Sequence, residues 1–122
     1  MNAKELRLGN YIKYSSSAFG KGDGTVYAIQ DDLIVTRDGT AVYPNELEPI
    51  PLTEEWLLKF GFVYSKNYDE YRYKEKTNWF GIFKSEYDDW LFEKPNMSSV
   101  VLPNVHQLQN LYFALTNTEL SE

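Results

Sequence analysis

Cysteine is missing from all 122 residues, and with it go disulfide frameworks, thiolate nucleophiles, Cys-based zinc sites and iron–sulfur ligation. Histidine occurs once, as His106, so any imidazole-dependent triad or metal cluster would have to be built around that side chain. Its place in the first turn of a carboxy-terminal helix, with no nucleophilic Cys and no Gly-x-Ser-x-Gly elbow, points to an exposed or capping residue. No apolar run approaches the ~20 residues of a membrane span. Met1 to Leu6 runs straight into polar sequence, so neither a membrane segment nor a secretory signal is expected, and the expected location is cytoplasmic. Positive charge is also scarce: 12 Lys and Arg stand against 18 Asp and Glu, for a net charge of -6. Residues 1–50, 51–103 and 104–122 each carry an acidic excess. Binding to nucleic-acid phosphates is dominated by counterion release from clustered cations, so nucleic acid is not the expected partner. A basic patch would have to be assembled from Lys66, Arg72, Lys74, Lys76 and Lys84, whose simpler reading is a set of solvated strand faces.

What is present is a folded composition, 43% hydrophobic and 16% aromatic, in a chain the size of one domain or two small subdomains sharing a core. The amino-terminal part reads as short strands. Leu6 and Leu8 alternate before a Gly9-Asn10 turn, and Tyr11 to Tyr14 continues extended. Ser15 to Gly24, rich in Ser and Gly, reads as an exposed mobile loop. Strand character returns at Thr25–Ile29 and Leu33–Thr36 across Gln30-Asp31-Asp32. Asp38-Gly39 suits a type I′ hairpin turn leading to Ala41–Tyr43, and Pro44–Leu47 reads as a single helical turn. The pattern predicts a small barrel of the Src-homology-3 kind over residues 1–50.

Residues 51–122 read as helix, antiparallel meander and closing helix packed on that sheet, the whole an α+β protein forming one compact unit. Thr53 caps the first helix, Glu54 and Glu55 meet its positive dipole end, and Leu52 and Leu57 sit at staple spacing. Gly61 stands where a left-handed residue closes the helix, Phe62 folds back on Leu57, and Trp56, Leu57 and Phe60 form the buried stripe. Strands follow at Phe62–Lys66, Glu70–Lys76, Trp79–Glu86, Trp90–Lys94 and Ser99–Leu102. Trp79 to Phe83 is apolar or small on both alternation classes, which predicts a central strand covered on both faces. Asn104 and Gln107 form a capping-box pattern, Val105, Leu108, Leu111, Tyr112 and Leu115 recur at helical spacing, and Asn117 terminates the helix. The tail beyond Glu119 is expected to fray.

Chemistry finds little purchase. Asp31-Asp32 and Asp88-Asp89, with Glu86 beside the second pair, are adjacent acids of the kind that turns solvate, whereas acid–base catalysis needs two carboxyl groups facing across a cleft. Glu86, Asp88 and Asp89 could offer oxygen ligands to a divalent cation, yet calcium-loop spacing is missing. Gly20 to Gly24 lacks the Gly-Lys-Ser/Thr ending and the following helix of a phosphate loop. No catalytic, cofactor-binding or metal residues are therefore assigned, and no cofactor is expected. The compositional oddity is ten tyrosines. Tyr64, Tyr68, Tyr71, Tyr73 and Tyr87 cluster on the meander, with Tyr71 and Tyr73 alternating against Arg72 and Lys74. They are either sheet core with amphipathic cover or an exposed aromatic face for a protein partner.

Three stretches, Glu5-Leu6-Arg7-Leu8-Gly9-Asn10, Pro49 to Phe62 (PIPLTEEWLLKFGF) and Val105 to Thr116 (VHQLQNLYFALT), resemble a family of short uncharacterised proteins of Bacteroides-type gut bacteria. Members are often encoded in prophage or other mobile regions. Where they commonly carry Gly, this chain has Asn117, which keeps helix termination intact. The resemblance implies no activity and no site residues, but it implies a phage-linked accessory role. The expected function is a non-enzymatic interaction module; the competing expectations are a small carboxylate- or metal-dependent enzyme and a nucleic-acid-binding accessory protein.

Overall fold

Thr25 to Gln30 alternates as a strand should, and in the computed structural model, which describes residues 1–75, 78–92 and 99–122, that strand begins earlier, at Gly20. The stretch read as a mobile loop is a hairpin. Strands β1 (Tyr11–Ser16) and β2 (Gly20–Gln30) pair without interruption from Tyr11↔Thr25 to Ser16↔Gly20, with residues 17–19 as the turn. The glycines belong there for a packing reason. A Cβ on Gly22 would lie 2.6 Å from the Tyr14 hydroxyl, and one on Gly24 would lie 2.8 Å from the Thr36 methyl, so neighbouring strands' side chains fill the space.

The chain forms two compact units, one of residues 1–51 with 104–119 and the other of 52–103 with 120–122. In the first, β3 (Leu33–Thr36), β4 (Ala41–Val42) and β5 (Leu47–Glu48) complete an antiparallel sheet of order β4-β3-β2-β1-β5. The expected Src-homology-3-like barrel does not form. The two outer strands are only two residues long and pair with β3 and β1, and among the described residues they do not pair with each other, so the sheet stays open. The positive-φ two-residue turn also lies elsewhere than expected: Asp31 (φ 48°) and Asp32 (φ 68°) join β2 to β3 as a type I′ pair. At Asp38-Gly39 only Gly39 has positive φ, and the Asp38 carboxylate instead accepts from the Thr36 hydroxyl and the Thr40 N–H. Those bonds hold its carboxyl below the usual range. Ala3, Leu6, Ile12, Tyr14, Val26, Ile34, Val42 and Leu47 are the buried cluster of this unit.

Helix α2 (Val105–Thr116) belongs to this first unit. Its attachment is polar. Gln109, fully buried, donates from its side-chain amide to the Gly9 carbonyl (3.0 Å) and accepts from the Tyr11 N–H (2.9 Å) and, more distantly, from Asn10 (3.4 Å). Asn10, also fully buried, accepts from the Arg7 N–H and donates to Asn110, which donates in turn to the Glu5 carbonyl. Arg7 then reaches Asn110 and Glu119 and lies 3.9 Å over the Phe113 ring. The Gly9-Asn10 turn would otherwise bury unpaired backbone groups; the helix side chains satisfy them.

In the second unit α1 (Glu54–Phe60) begins and ends as its sequence specifies. The Thr53 hydroxyl accepts from Trp56 N–H, Gly61 sits at φ 99°, and Phe62 N–H donates to Leu57. Leu57 and Phe60 are buried, but Trp56 is only half-buried, with Lys59 Nζ 4.8 Å over its ring, so it flanks the stripe. Strands β6 (Val63–Ser65), β7 (Glu70–Glu75), β8 (Asn78–Lys84), β9 (Trp90–Phe92) and β10 (Val100–Val101) form an antiparallel sheet in sequential order. β8 is central, as expected, yet covered on one face only: Phe80 and Ile82 are buried and Trp79 is exposed. The expected turns at Thr77-Asn78 and Pro95-Asn96, the end of the strand at Lys94 and the cation Lys76 fall wholly or partly outside the described residues. Leu120, expected to fray, is buried.

Replacing Gln109 with Leu removes one donor and one acceptor from buried backbone partners. The expected cost in a chemical melt is ~2–4 kcal/mol, and a loss below ~1 kcal/mol would show the network to be dispensable. Within α1, Phe60→Ala is expected to cost ~3–5 kcal/mol and Trp56→Ala clearly less. The reverse order would contradict the placement of the stripe.

Candidate functional site

The alternation of Tyr71 and Tyr73 against Arg72 and Lys74 does separate an aromatic from a cationic face, and the register shows which face is which. Tyr71 stands opposite Tyr64 and Ile82, and Tyr73 opposite Phe80, so the tyrosines share the face that carries the buried Phe80 and Ile82. Tyr73 contacts Phe62 at 5.4 Å between ring centroids. Arg72, Lys74 and Trp79 occupy the opposite face. The five tyrosines are therefore not one surface. Tyr64 and Tyr71 meet at 5.2 Å, Tyr68 lies over Arg72, Tyr73 is half-buried, and Tyr87 stands exposed in the turn of residues 85–89.

On the outer face the Arg72 guanidinium lies 4.4 Å over Tyr68 and 4.7 Å over Trp79, while its Nε is 3.2 Å from the Glu70 carboxylate without the alignment of a hydrogen bond. Gly81 permits this. A Cβ there would sit 2.8 Å from the Glu70 carboxyl, so only glycine lets the carboxylate lie across β8 beside Arg72. Tyr68 and Trp79 keep 64% and 52% of their surfaces exposed. Val63, opposite Arg72 on β6, is exposed, and Leu91, flanked by Phe83 and Val101 in the pairing of β8, β9 and β10, is half-buried. Trp79 is hidden by the apolar character of both alternation classes of its strand, which predicts cover on both faces; the small Gly81 between two bulky residues is the signal of its exposure.

Three of the five cations that could have made a basic patch have ring or carboxylate contacts. Arg72 is paired to Glu70, Lys74 lies 5.8 Å from the Trp79 ring centre, and Lys84 is 3.0 Å from Asp88 and 4.8 Å over Trp90. Asp88, at φ 70°, and Asp89 are exposed turn residues, as is Glu86. Among the described residues no group of three or more His, Asp or Glu side chains is placed to hold a metal ion, and no helix is long and apolar enough to cross a membrane.

On the inner face, at the start of α1, lies a hollow of about 330 Å³ walled by Glu54, Tyr64, Asp69, Tyr71, Lys84 and Trp90. The Tyr64 hydroxyl donates to Asp69 (2.5 Å) and the Tyr71 hydroxyl to Glu54. Because ionising either phenol would break its bond and set it against a carboxylate, both pKa values rise, that of Tyr71 to about 12.

His106 is the other departure from expectation. Read as exposed or capping, it is 1% exposed, with neither ring nitrogen hydrogen-bonded and Glu5 the nearest carboxylate at 3.9 Å. Its position in the first turn of α2 does not protect it, because that turn faces the interior. Desolvation lowers its pKa below the usual 6.5, and the Glu5 charge opposes the shift without cancelling it. Protonation is thus easier in the unfolded chain. Stability is expected to be level above about pH 6.5 and to fall as the pH drops below it, where the unfolded state binds the extra proton. Chemical melts at pH 7.5 and 5.5 should show that His106→Leu flattens this dependence; an unchanged slope would assign it to the carboxylates. No family model, curated protein or solved structure matches the chain.

Proposed function

We propose that the chain is a cytoplasmic, non-enzymatic protein-interaction module, with the outer face of the β6–β10 sheet as its contact surface. The observation that carries this reading is the stack of Tyr68, Arg72 and Trp79. These are the residue types that contribute most binding energy at protein interfaces, and here the two rings are exposed with the half-buried Arg72 guanidinium between them. The stack is ordered before any partner arrives, since two rings and the Glu70 carboxylate fix the guanidinium, so association would cost little side-chain entropy. Short apolar neighbours, Val63 and Val101, extend the surface and suit a modest interface. The resemblance in the three sequence motifs supports a phage or mobile-element accessory role for such a module, in which partner capture rather than chemistry is the task.

A photo-crosslinking amino acid placed at position 79 in the cells that naturally express the protein tests this directly. The expected result is a defined adduct with a single protein, lost when Tyr68 and Arg72 are both changed to Ala in a variant that keeps its folded stability. The same residue at position 43, equally exposed in the other unit, should give no such adduct. Adducts that are identical from both positions, or indifferent to the Tyr68 and Arg72 changes, would reject this face as the contact surface.

A further inference from the structure

Three rings that are not parallel surround the hollow at the start of α1. Tyr64 and Tyr71 are tilted by 56° with centroids 5.2 Å apart, and Tyr71 meets Trp90 edge-on at 73° and 5.6 Å. Ring faces carry negative potential, so an aromatic corner that presents a ring face attracts a cation. Two carboxylates deepen that field. Glu54 and Asp69 each accept one phenol proton, and a carboxylate has room for about four hydrogen bonds, so acceptor positions stay open toward the hollow. The phenols remain donors at any ordinary pH, which fixes the carboxylates in place.

The protein already shows that this wall takes an ammonium. Lys84 Nζ lies 4.8 Å over the Trp90 ring at the rim, anchored by Asp88 at 3.0 Å. Lys84 is thus paired with Asp88, while the hydrogen bonds given to Glu54 and Asp69 come from neutral phenols, Glu54 also facing the positive end of α1. The walls carry two exposed carboxylates against one ammonium, and the volume of about 330 Å³ is at the low end for a ligand site. We infer that this hollow is a binding site for a primary alkylammonium group, its ammonium between the Glu54 and Asp69 carboxylates and its alkyl chain against Tyr64, Tyr71 and Trp90. Such a group is carried by a lysine side chain or by a free amine. The inference shares no residue with the outer-face stack, so either can fail alone.

The test is a titration of the whole chain, isotopically labelled, with n-butylammonium, N-acetyl-lysine amide and n-butanol, following the amide shifts of residues 52–54, 64, 69, 71 and 90. Saturable millimolar binding of the two ammonium probes is expected, with n-butanol about tenfold weaker or worse. Tighter binding of N-acetyl-lysine amide assigns the site to a peptide-borne lysine, and equal binding assigns it to free amines. The nearly isosteric Glu54→Gln, Asp69→Asn double variant should lose about tenfold in affinity, and Lys84→Met should gain several-fold because a like charge leaves the rim. Should the double variant unfold, the sign of the Lys84→Met effect decides alone. Butanol binding as well as butylammonium, affinity unchanged or reduced in Lys84→Met, or no saturation by ~50 mM would overturn the inference.

Discussion

One side-chain amide does what a strand would otherwise do. The Gly9-Asn10 turn carries backbone groups out of water, and Gln109 supplies an acceptor to Tyr11 and a donor to Gly9 from a helix about a hundred residues later. Asn10 passes the connection to Asn110, and the Asn10 carbonyl accepts from Val26 N–H, so the amide network, the first strand and β2 form one hydrogen-bonded body. Removing a single member leaves buried polar groups unmatched, which costs more than the bond itself contributes. The open sheet of the first unit depends on this clasp, because its outer strands are two residues long and cannot close a barrel.

The second unit is held differently. Its inner face is aromatic, with Phe62, Phe80 and Phe92 in contact in ring geometries from edge-on to stacked, against the buried pair Leu57 and Phe60 of α1. Each of the three tryptophans carries a cation on one ring face, Lys59 on Trp56, Arg72 and Lys74 on Trp79, and Lys84 on Trp90. On the outer face Arg72 and Lys74 lie against the exposed Trp79 ring.

Local signals were legible and remote ones were not. Thr53, Gly61 and Phe62 delimit α1 because capping is settled within five residues of each end. Asp31-Asp32 sits in a turn for the same reason. Gly22 and Gly24 misled because their conformation is decided by Tyr14 and Thr36 on neighbouring strands, which turn a loop composition into a strand. The helical spacing of Val105, Leu108 and Tyr112 shows that α2 buries a face, but nothing local in the sequence reveals that Gln109 and Asn110 bond the Gly9-Asn10 turn and Glu5. Of the candidate surface, the Tyr71 and Tyr73 alternation was readable, but its inward direction was not, and Trp79 was missed. Residues 5–10 and 105–116, far apart in sequence, meet in the amide network.

Native-state hydrogen exchange at the Tyr11 amide tests this account most directly. Its hydrogen bond goes to the Gln109 side chain, so the account predicts that it exchanges only with global opening of the first unit, at the same free energy as the Val26 amide in β2. Exchange of the Tyr11 amide at the rate of an exposed loop, while Val26 stays protected, would contradict the claim that the clasp holds this unit together.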